Sequence, residues 1–287
     1  MIINKKFIVI SFVSILCASL FFVLGVGFVL SAPNNVIVGK IPTELNGKEI
    51  KFKSKNDITL SGWFVPGDNK HGGILLMHGI RSNRREMIQR AIFLNQSGYS
   101  VLLFDFQAHG ESEGNNITFG HIEAYDAEAA YAYLINHIEK KSVGVIGVSL
   151  GGASALLGNV AKKSNALIIE AVYPTFTEAV QNRIAIRLGK IGHYLAPLLI
   201  WQIEPMLGFN PEALKPINQL SELNTPLFII AGTNDKHTTL SDSKRMYNAA
   251  SEPKEIWLIK GAKHQNFHQY SPLIYQEKVL WFFNKYL

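Results

Sequence analysis

The fold is decided by the stretch Val143-Gly144-Val145-Ile146-Gly147-Val148-Ser149-Leu150-Gly151-Gly152, an apolar run that ends in a serine flanked by glycines. The β-branched run predicts a strand, and the small and apolar residues that follow predict a helix. A serine at so sharp a turn needs strained backbone dihedrals, and its neighbours two positions away must lack bulky side chains. Its hydroxyl then projects beyond the strand, next to the N–H groups that open the helix. The pattern predicts that Ser149 is a nucleophile.

A serine hydroxyl is a weak nucleophile until a base takes its proton and an acid orients that base. Two later segments offer these groups. An apolar strand that begins near Pro226 leads through a glycine turn to Asp235, and another that begins near Ile256 leads through a glycine turn to His264. The order Ser, Asp, His, each after a strand, predicts Ser149 as nucleophile, Asp235 as acid and His264 as base.

Two alternatives remain open for these roles. Glu170 ends the predicted strand Ala166–Ile169 and is a second candidate for the acid. His268 comes one helical turn after His264 and is a second candidate for the base. Both rank below Asp235 and His264.

Acyl chemistry also needs two backbone N–H groups that stabilise a developing oxyanion. The predicted strand Gly73–Met77 is followed by His78-Gly79-Ile80-Arg81, where a glycine allows the backbone to approach closely. We predict that one N–H group comes from Ile80 and the other from Leu150, which follows the nucleophile. The His78 side chain is interpreted as a structural hydrogen-bonding group beneath this loop.

With these segments the chain resembles the α/β-hydrolase superfamily and, within it, the serine-aminopeptidase-like and monoglyceride-lipase-like hydrolases, over about residues 47 to 287. The most specific marker is the segment from Asp105 to Gly114, Asp-Phe-Gln-Ala-His-Gly-Glu-Ser-Glu-Gly. In that family it forms a structural turn, which implies that Asp105 and His109 belong to the framework. The chain departs from the family at Gln107-Ala108, where Arg-Gly is common. The other matching segments are His78-Gly79, the Ser149 turn, Gly232-Thr233-Asn234-Asp235 and Gly261-Ala262-Lys263-His264.

The resemblance implies an α/β-hydrolase fold, in which a mostly parallel central sheet is flanked by helices. The composition agrees, because 287 residues with 47% hydrophobic content can bury one large core. Residues 101–104 are continuously apolar, as expected for a strand buried on both faces. Apolar residues at helical spacing predict helices over residues 122–138 and 272–286.

Residues 173–220 interrupt the alternation of strands and helices and are too long for an ordinary connection. We predict a small helical cap insertion at about residues 174–220, within a hydrolase domain at residues 47–287. Its apolar residues either pack on the domain or line the acyl side of the active-site cleft, or do both. The candidates for substrate binding are Leu198, Leu199, Ile200, Trp201 and Met206.

The N-terminal region predicts a membrane anchor at residues 1–31 and a linker at residues 32–46. Residues 7–30 carry no charge, and as a helix they span about 36 Å, enough to cross a bilayer core of about 30 Å. Lys5 and Lys6 favour a single-pass protein with a cytoplasmic N-terminus and an extracytoplasmic catalytic domain. The alternative is a signal peptide cleaved near Ala32, which would release a secreted protein.

Composition excludes several other classes. The formal net charge of +6 is modest, and nothing in the sequence suggests nucleic-acid binding. No cluster of His, Cys and acidic residues has credible metal spacing, so no metal or cofactor is expected. The only cysteine, Cys17, lies in the apolar N-terminal segment. One basic cluster is interpreted as a solvated helix face, with contact to lipid headgroups or an anionic substrate as the alternative: Arg81, Arg84, Arg85 and Arg90.

Together these features predict a membrane-anchored serine hydrolase that cleaves carboxylic esters through an acyl-enzyme. The expected partner is a small-molecule or lipid-like acyl substrate, besides the membrane itself. Thioester and peptide cleavage are alternatives within the same fold. A non-catalytic binding module that kept the fold is the alternative outside the enzyme class.

Overall fold

The computed structural model describes residues 5–55, 57–68, 70–189 and 191–287. The strands in these ranges are β1 (Asn34–Asn35), β2 (Lys48–Lys53), β3 (Thr59–Val65), β4 (Gly73–Met77), β5 (Ser100–Phe104), β6 (His109–Gly110), β7 (Val143–Val148), β8 (Ala166–Glu170), β9 (Leu227–Gly232) and β10 (Lys254–Ile259). The helices are α1 (Lys5–Ser31), α2 (Ile88–Gln96), α3 (Glu123–His137), α4 (Leu150–Leu157), α5 (Val160–Lys163), α6 (Phe176–Leu188), α7 (Ile191–Trp201), α8 (Ile203–Leu207), α9 (Leu240–Ala249), α10 (Phe267–Tyr270) and α11 (Pro272–Tyr286).

Eight strands form one sheet in the order β10-β9-β8-β7-β4-β5-β3-β2. Six neighbouring strands are parallel, namely β10, β9, β8, β7, β4 and β5. Strand β3 is antiparallel to both β5 and β2. The register pairs Met77 with Gly147 and Ile259 with Gly232. Because these residues lie near the carboxyl ends of their strands, the loops that follow the strands leave from the same edge of the sheet.

The predicted elements occur where the sequence places them. Strand β4 coincides with the predicted strand at residues 73–77, and α11 with the predicted helix at 272–286. Helix α3 is one residue shorter at each end than the predicted 122–138. The predicted α/β-hydrolase architecture, a mostly parallel sheet with flanking helices, is therefore confirmed.

The core lies on both faces of the sheet, because successive strand residues point to opposite sides. Leu75 and Leu102 belong to the cluster that packs on α3 and α4, and their chain neighbours Ile74 and Val101 belong to the cluster that packs on α2 and α11. The strands are buried on both faces, which explains why they are continuously apolar rather than alternating.

The predicted cap insertion, residues 174–220, contains helices α6, α7 and α8 and two short 3₁₀ turns between β8 and β9. Helix α6 begins after Thr175, whose side chain accepts the N–H of Glu178 as an N-terminal cap. Asn182 of α6 donates to the backbone oxygen of His237 at 3.1 Å and to Asp242 at 3.0 Å. The insertion is therefore tied to the loop that follows β9.

Helix α1 is long and apolar enough to cross a membrane: its span Ile10–Ser31 has a mean hydropathy of 2.6, and apart from Ser31 at its end none of its residues is buried. The first four residues of the predicted anchor lie outside the described residues. The C-terminal part of α1 lies against the domain, because the Arg81 guanidinium donates to the carbonyl oxygen of Val29 and Gln202 donates to that of Val23.

The interpretation of the arginine cluster as a solvated face is wrong for its two buried members. Arg84 pairs with Asp105 and Glu111, and its backbone N–H donates to Asp105 at 2.7 Å. Arg90 is fully buried and pairs with Glu170. Because each of these two guanidinium groups ends on a carboxylate distant in sequence, Arg84 and Arg90 belong to the framework of the domain, whereas Arg81 and Arg85 remain exposed.

Candidate active site

The backbone of Ser149 has φ 47° and ψ −106°, a strained conformation between β7 and α4. The flanking glycines make this turn possible. A Cβ at Gly147 would lie 2.5 Å from the backbone of Gly152, and one at Gly151 would lie 2.5 Å from the carbonyl oxygen of Met77. The turn is held by the Ser149 N–H, which donates to the carbonyl oxygen of Glu170 at 2.8 Å. The structure thus forms the sharp strand-to-helix turn that the sequence predicts.

The Asp235 carboxylate is held by the loop that follows β9. Its Oδ1 accepts the backbone N–H groups of His237 at 2.7 Å and Thr238 at 2.9 Å. Its Oδ2 lies 2.7 Å from Nδ1 of His264. Because Asp235 is nearly fully buried and its carboxylate only accepts, Nδ1 of His264 carries a proton and Nε2 is free to accept one.

Ser149 and His264 line one cavity of about 290 Å³ at the carboxyl edge of the sheet. Its walls come from five separate loops and from α6. They are Gly79, Ile80, Ser82, Glu86, Val148, Ser149, Ala171, Arg183, His237, His264, Gln265, Asn266 and Phe267. The buried Oγ of Ser149 has no hydrogen-bond partner among the described residues. The hydroxyl is therefore available to a base or a ligand in this cavity.

The loop after β4 contributes Ile80 to the cavity, and the oxyanion role of its N–H group stays a prediction. The Gly79 N–H donates to Oε2 of Glu86 at 3.0 Å, which holds this loop in place. Leu150 is the first residue of α4, so its N–H has no intrahelical partner, but Leu150 is not among the residues that line the cavity.

His78 lies fully buried beneath the same loop. Its Nδ1 is 2.7 Å from the carbonyl oxygen of Gly79, and its Nε2 accepts the N–H of Phe106 at 3.1 Å. Burial lowers the pKa of His78. With both ring nitrogens bonded, His78 is a structural group that joins the loops after β4 and β5.

The alternative acid, Glu170, is bonded elsewhere. Arg90 donates to both of its oxygens, Nε at 3.1 Å and Nη2 at 2.6 Å, and the Tyr275 hydroxyl donates to it as well. All three groups are almost completely buried. Glu170 does not contact His264 and does not line the cavity, so it forms an internal ion pair below the edge of the sheet.

The alternative base, His268, also lies away from the cavity lining. Its ring stacks on Phe93 with centroids 5.2 Å apart, and Gln276 contacts its Nε2 at 3.0 Å. Burial, together with the charge of Arg90, lowers the pKa of His268 to about 4. The imidazole is therefore neutral near pH 7 and packs beside the Arg90–Glu170 pair.

The structure does not bring the predicted cap residues to the cavity. Leu198 is 48% exposed, Trp201 62% and Met206 36%, whereas Leu199 and Ile200 are half-buried, and none of the five lines the cavity around Ser149. Helix α7 instead buries its small residues, Gly192 and Ala196. The apolar character of this segment predicted a cap but could not indicate which surface its side chains contact.

Three cavity residues carry no signal in the sequence pattern: Glu86, Arg183 and His237. Arg183 reaches the cavity from α6, and its Nη1 donates to the carbonyl oxygen of Ala179 one turn earlier, at 3.0 Å. The His237 ring is tilted against that of His264, with centroids 4.9 Å apart. Burial lowers the pKa of His237, and the nearby His264 and Arg183 lower it further. The packing of α6 on the loop after β9 brings Arg183 and His237 together at the site, whereas Glu86 comes from the turn after β4.

The groups at this cavity suit proton transfer and nucleophilic attack. The hydroxyl of Ser149, on a strained backbone turn, and the imidazole of His264, oriented by a buried carboxylate, line the same cavity. Among the described residues, no group of three or more His, Cys, Asp and Glu side chains could hold a metal ion.

Comparison with known proteins identifies the family. The model of the alpha/beta hydrolase family matches residues 74–274. The uncharacterised protein Rv2307c of Mycobacterium tuberculosis is 25% identical over 224 residues, which cover 77% of this chain and 73% of that protein. Lysophosphatidylserine lipase ABHD12 of Danio rerio is 24% identical over 220 residues, or 74% of this chain and 55% of that one.

Among solved structures, the Pyrococcus furiosus esterase Pf2001 is similar over 88% of this chain and 99% of its own, with a TM-score of 0.71 and 26% identity. Hydrolase activity is supported by the match to the family and by the similarity to an esterase of the same architecture. The chain belongs to the alpha/beta hydrolase family.

Proposed function

We propose that this protein is a serine hydrolase that cleaves carboxylic esters through an acyl-enzyme. The observation that carries the proposal is the hydrogen bond of 2.7 Å from Asp235 to His264, which lines the same cavity as the strained Ser149. The three residues come from three separate loops and line or adjoin one cavity, which favours a catalytic over a purely structural role.

In the proposed reaction, Nε2 of His264 takes the proton of the Ser149 hydroxyl as its Oγ attacks the ester carbonyl. Asp235 keeps Nδ1 protonated and stabilises the imidazolium that forms. The N–H groups of Ile80 and Leu150 stabilise the oxyanion of the tetrahedral intermediate. His264 then protonates the leaving alcohol, and later activates the water that releases the acid.

Carboxylic esters are the first choice of substrate because the structurally similar Pf2001 is an esterase. The relative ABHD12 is named a lysophosphatidylserine lipase, which agrees with a lipid-like acyl substrate. Thioesters and peptides remain alternatives for the same triad, and a binding module without catalysis remains the alternative outside the enzyme class.

A fluorophosphonate probe tests the nucleophile directly. We expect one adduct, mapped by mass spectrometry to Ser149, and no labelling of Ser149→Ala. Ser154→Ala is the matched control, because Ser154 is a buried serine of α4 whose hydroxyl donates to the Leu150 carbonyl. An adduct on another serine, or none on the folded protein, would overturn the proposal.

We also propose that α1 anchors the protein in a membrane, with the N-terminus cytoplasmic and the catalytic domain outside the cytoplasm. Besides its length and apolar character, α1 ends in contacts with the domain. Ser31 is buried, and its carbonyl oxygen accepts the N–H of Ile117 at 2.8 Å. These contacts make the end of α1 part of the packed structure, as expected for a segment that the mature protein retains.

N-terminal sequencing of the membrane fraction, combined with protease treatment of spheroplasts, tests this topology. We expect an intact N-terminus in the membrane fraction and a domain that external protease digests. A soluble form that begins near Ala32, or a domain protected from protease, would refute the anchor or its orientation.

A further inference from the structure

Arg183 is a cation without a counterion at the Ser149 cavity. In the described part of the chain its guanidinium has no carboxylate within 4.0 Å, and its one hydrogen bond to protein is to Ala179 of its own helix. The two buried arginines of the framework, Arg84 and Arg90, both end on carboxylates. The Arg183 side chain is half-buried, so its charge is partly desolvated. Burial lowers the pKa of Arg183, and the charges of Tyr173 and Asp235 offset part of this decrease.

The other ionisable groups around Arg183 leave it free to bind an anion. The Asp235 carboxylate is occupied by His264 and two backbone N–H groups, and Glu86, on the opposite loop, accepts the Gly79 N–H. His237 is kept neutral by its lowered pKa. The remaining neighbour, Tyr173, donates its hydroxyl to the carbonyl oxygen of Phe119.

We propose that Arg183 binds an anionic group, carboxylate or phosphate, that the substrate carries close to its ester. A guanidinium binds the two oxygens of such a group in parallel, and a partly desolvated cation gains most from a partner of opposite charge. This proposal rests on the proposed esterase function and specifies its substrate class. Arg183 is thus a specificity residue, because it contributes nothing to a neutral ester.

Three soluble butanoyl esters separate the possibilities: butanoylglycerol, butanoylglycerol phosphate and butanoylglycolate, which are neutral, phosphate-bearing and carboxylate-bearing. In Arg183→Gln we expect kcat/KM for the anionic ester that the wild type prefers to fall about 10- to 100-fold, the value of a charged hydrogen bond. The neutral ester should change less than about threefold, and Arg183→Lys should recover part of the loss. Arg187 is an exposed arginine one turn further along α6, so Arg187→Gln is the matched control and should leave kcat/KM for all three esters unchanged.

Binding provides a readout that does not depend on catalysis. In a Ser149→Ala background, calorimetry should show tighter binding of an anionic ester than of the neutral one, and Arg183→Gln should abolish the difference. If all three esters weaken equally, Arg183 only positions the site and the proposal is wrong. If anionic esters bind through Arg183 but none is hydrolysed by the wild type, the anion site stands and the proposed esterase function fails.

A second inference comes from a different surface, the outer face of α7. Ile191, Tyr194, Leu198 and Trp201 recur at spacings of three and four, so they lie on one face of the helix, and they are 66%, 82%, 48% and 62% exposed. Residues 191–201 contain no Asp, Glu, Lys or Arg. Large apolar side chains on one exposed helix face indicate that the face binds an apolar partner.

The position of α1 identifies that partner. Gln202, directly after α7, donates to the carbonyl oxygen of Val23 at 3.2 Å, and its side chain packs against Gly27. Val23 lies eight residues before Ser31, or about 12 Å along the helix. The apolar span Ile10–Ser31 measures about 33 Å, close to the thickness of a bilayer core. The end of α7 therefore lies beside the membrane-spanning part of α1, below the level at which α1 leaves the bilayer.

We infer that the exposed face of α7 inserts among the lipid acyl chains of the leaflet in which α1 ends. Its occupant is the bilayer itself, because the apolar face continues directly from the apolar surface of α1. This inference rests on the proposed anchor. It places the cap insertion in contact with the acyl chains from which a lipid ester would enter the site.

Fluorescence quenching measures the depth of α7 in the full-length chain. In a Cys17→Ser background, an environment-sensitive dye on Leu198→Cys should be quenched by brominated acyl chains in phosphatidylcholine vesicles and protected from aqueous iodide. The same dye on Leu273→Cys, an 81% exposed position on α11, should show the reverse. Flotation of the labelled protein with the vesicles reports the anchor separately. Protein that floats but shows iodide quenching at Leu198 would overturn this inference, whereas protein that does not float would overturn the anchor and the inference together.

Discussion

Replacing Asp235 by asparagine should abolish most activity and leave the fold intact. Oδ1 of Asp235 accepts two backbone N–H groups, whereas Oδ2 contacts Nδ1 of His264. An asparagine has to keep its oxygen on the backbone donors, because an amide NH₂ cannot accept from them. Its NH₂ then donates to Nδ1, so the imidazole carries its proton on Nε2 and cannot take the proton of Ser149.

The expected loss follows from this change of tautomer. Removing the correct tautomer from such a triad lowers kcat by about 10²–10⁴, equivalent to about 2.7–5.5 kcal/mol of transition-state stabilisation. KM should stay nearly constant because the substrate contacts are unchanged. Since every hydrogen bond of the residue has a replacement, Tm should fall only slightly.

Glu170→Gln is the matched control, because it makes the same chemical change in the alternative acid. Arg90 would then be left buried without its counterion, and removing one partner of such a pair costs about 3–5 kcal/mol. For a chain of this size that corresponds to a decrease of Tm of about 6–20 °C. The fraction that stays folded should keep its kcat within about tenfold, because Glu170 contacts neither His264 nor the cavity.

The assay measures kcat and KM on p-nitrophenyl butyrate well below the lower Tm, with Tm from circular dichroism on the same samples. Asp235→Asn should lower kcat and leave Tm nearly unchanged. Glu170→Gln should lower Tm and leave kcat nearly unchanged. A larger loss of kcat in Glu170→Gln than in Asp235→Asn would refute the assignment of Asp235 as the acid.

Three further predictions concern the turn, the core and the cavity. Gly151→Ala should lower the free energy of unfolding by about 1–3 kcal/mol or more and reduce probe labelling, because its Cβ would press on the Met77 carbonyl. Gly79→Ala is the control and should lower Tm little, because no atom lies closer than 3.6 Å to a Cβ there; equal decreases of Tm would contradict this. Burial raises the pKa of Asp126 from 3.8 to about 7, so the folded chain holds a proton that the unfolded chain releases above about pH 4. The free energy of unfolding should therefore fall as the pH rises from about 4 to about 7. Asp126→Asn should remove up to about 4 kcal/mol of that decrease, measured by urea titration. On p-nitrophenyl esters, kcat/KM should rise about fourfold per methylene until the cavity of about 290 Å³ is full, and a flat profile would show that the acyl chain is not buried there.

Much of the fold could be predicted because its signals are local. Parallel strands buried on both faces are continuous apolar runs, so β4, β5 and β7 are recognisable without their partners. The turn at Ser149 is recognisable because glycines are required on both sides of it. The candidate roles of Asp235 and His264 follow from their order along the chain, since each comes directly after a strand of one parallel sheet.

Other parts of the site could not be predicted because they depend on partners far away in sequence. The pattern left Glu170 as an alternative acid, and only packing brings it to Arg90, 80 residues earlier, and Tyr275, 105 residues later. The arginines after β4 looked solvated because their carboxylate partners lie on other elements. Arg183 had no pattern at all, since a single arginine in an amphipathic helix is typical of a surface.

By itself, the sequence determined the fold class, the strained serine turn and the order of the candidate catalytic residues, because each depends on short-range sterics or on chain order. The tertiary structure alone decided which polar groups are occupied and which apolar faces remain open. Hydrogen-bond partners and burial depend on distances between elements, which periodicity does not encode. For this reason the apolar residues of α7 were predicted to line a cleft but lie exposed beside α1, while the unpaired cation at the cavity comes from α6.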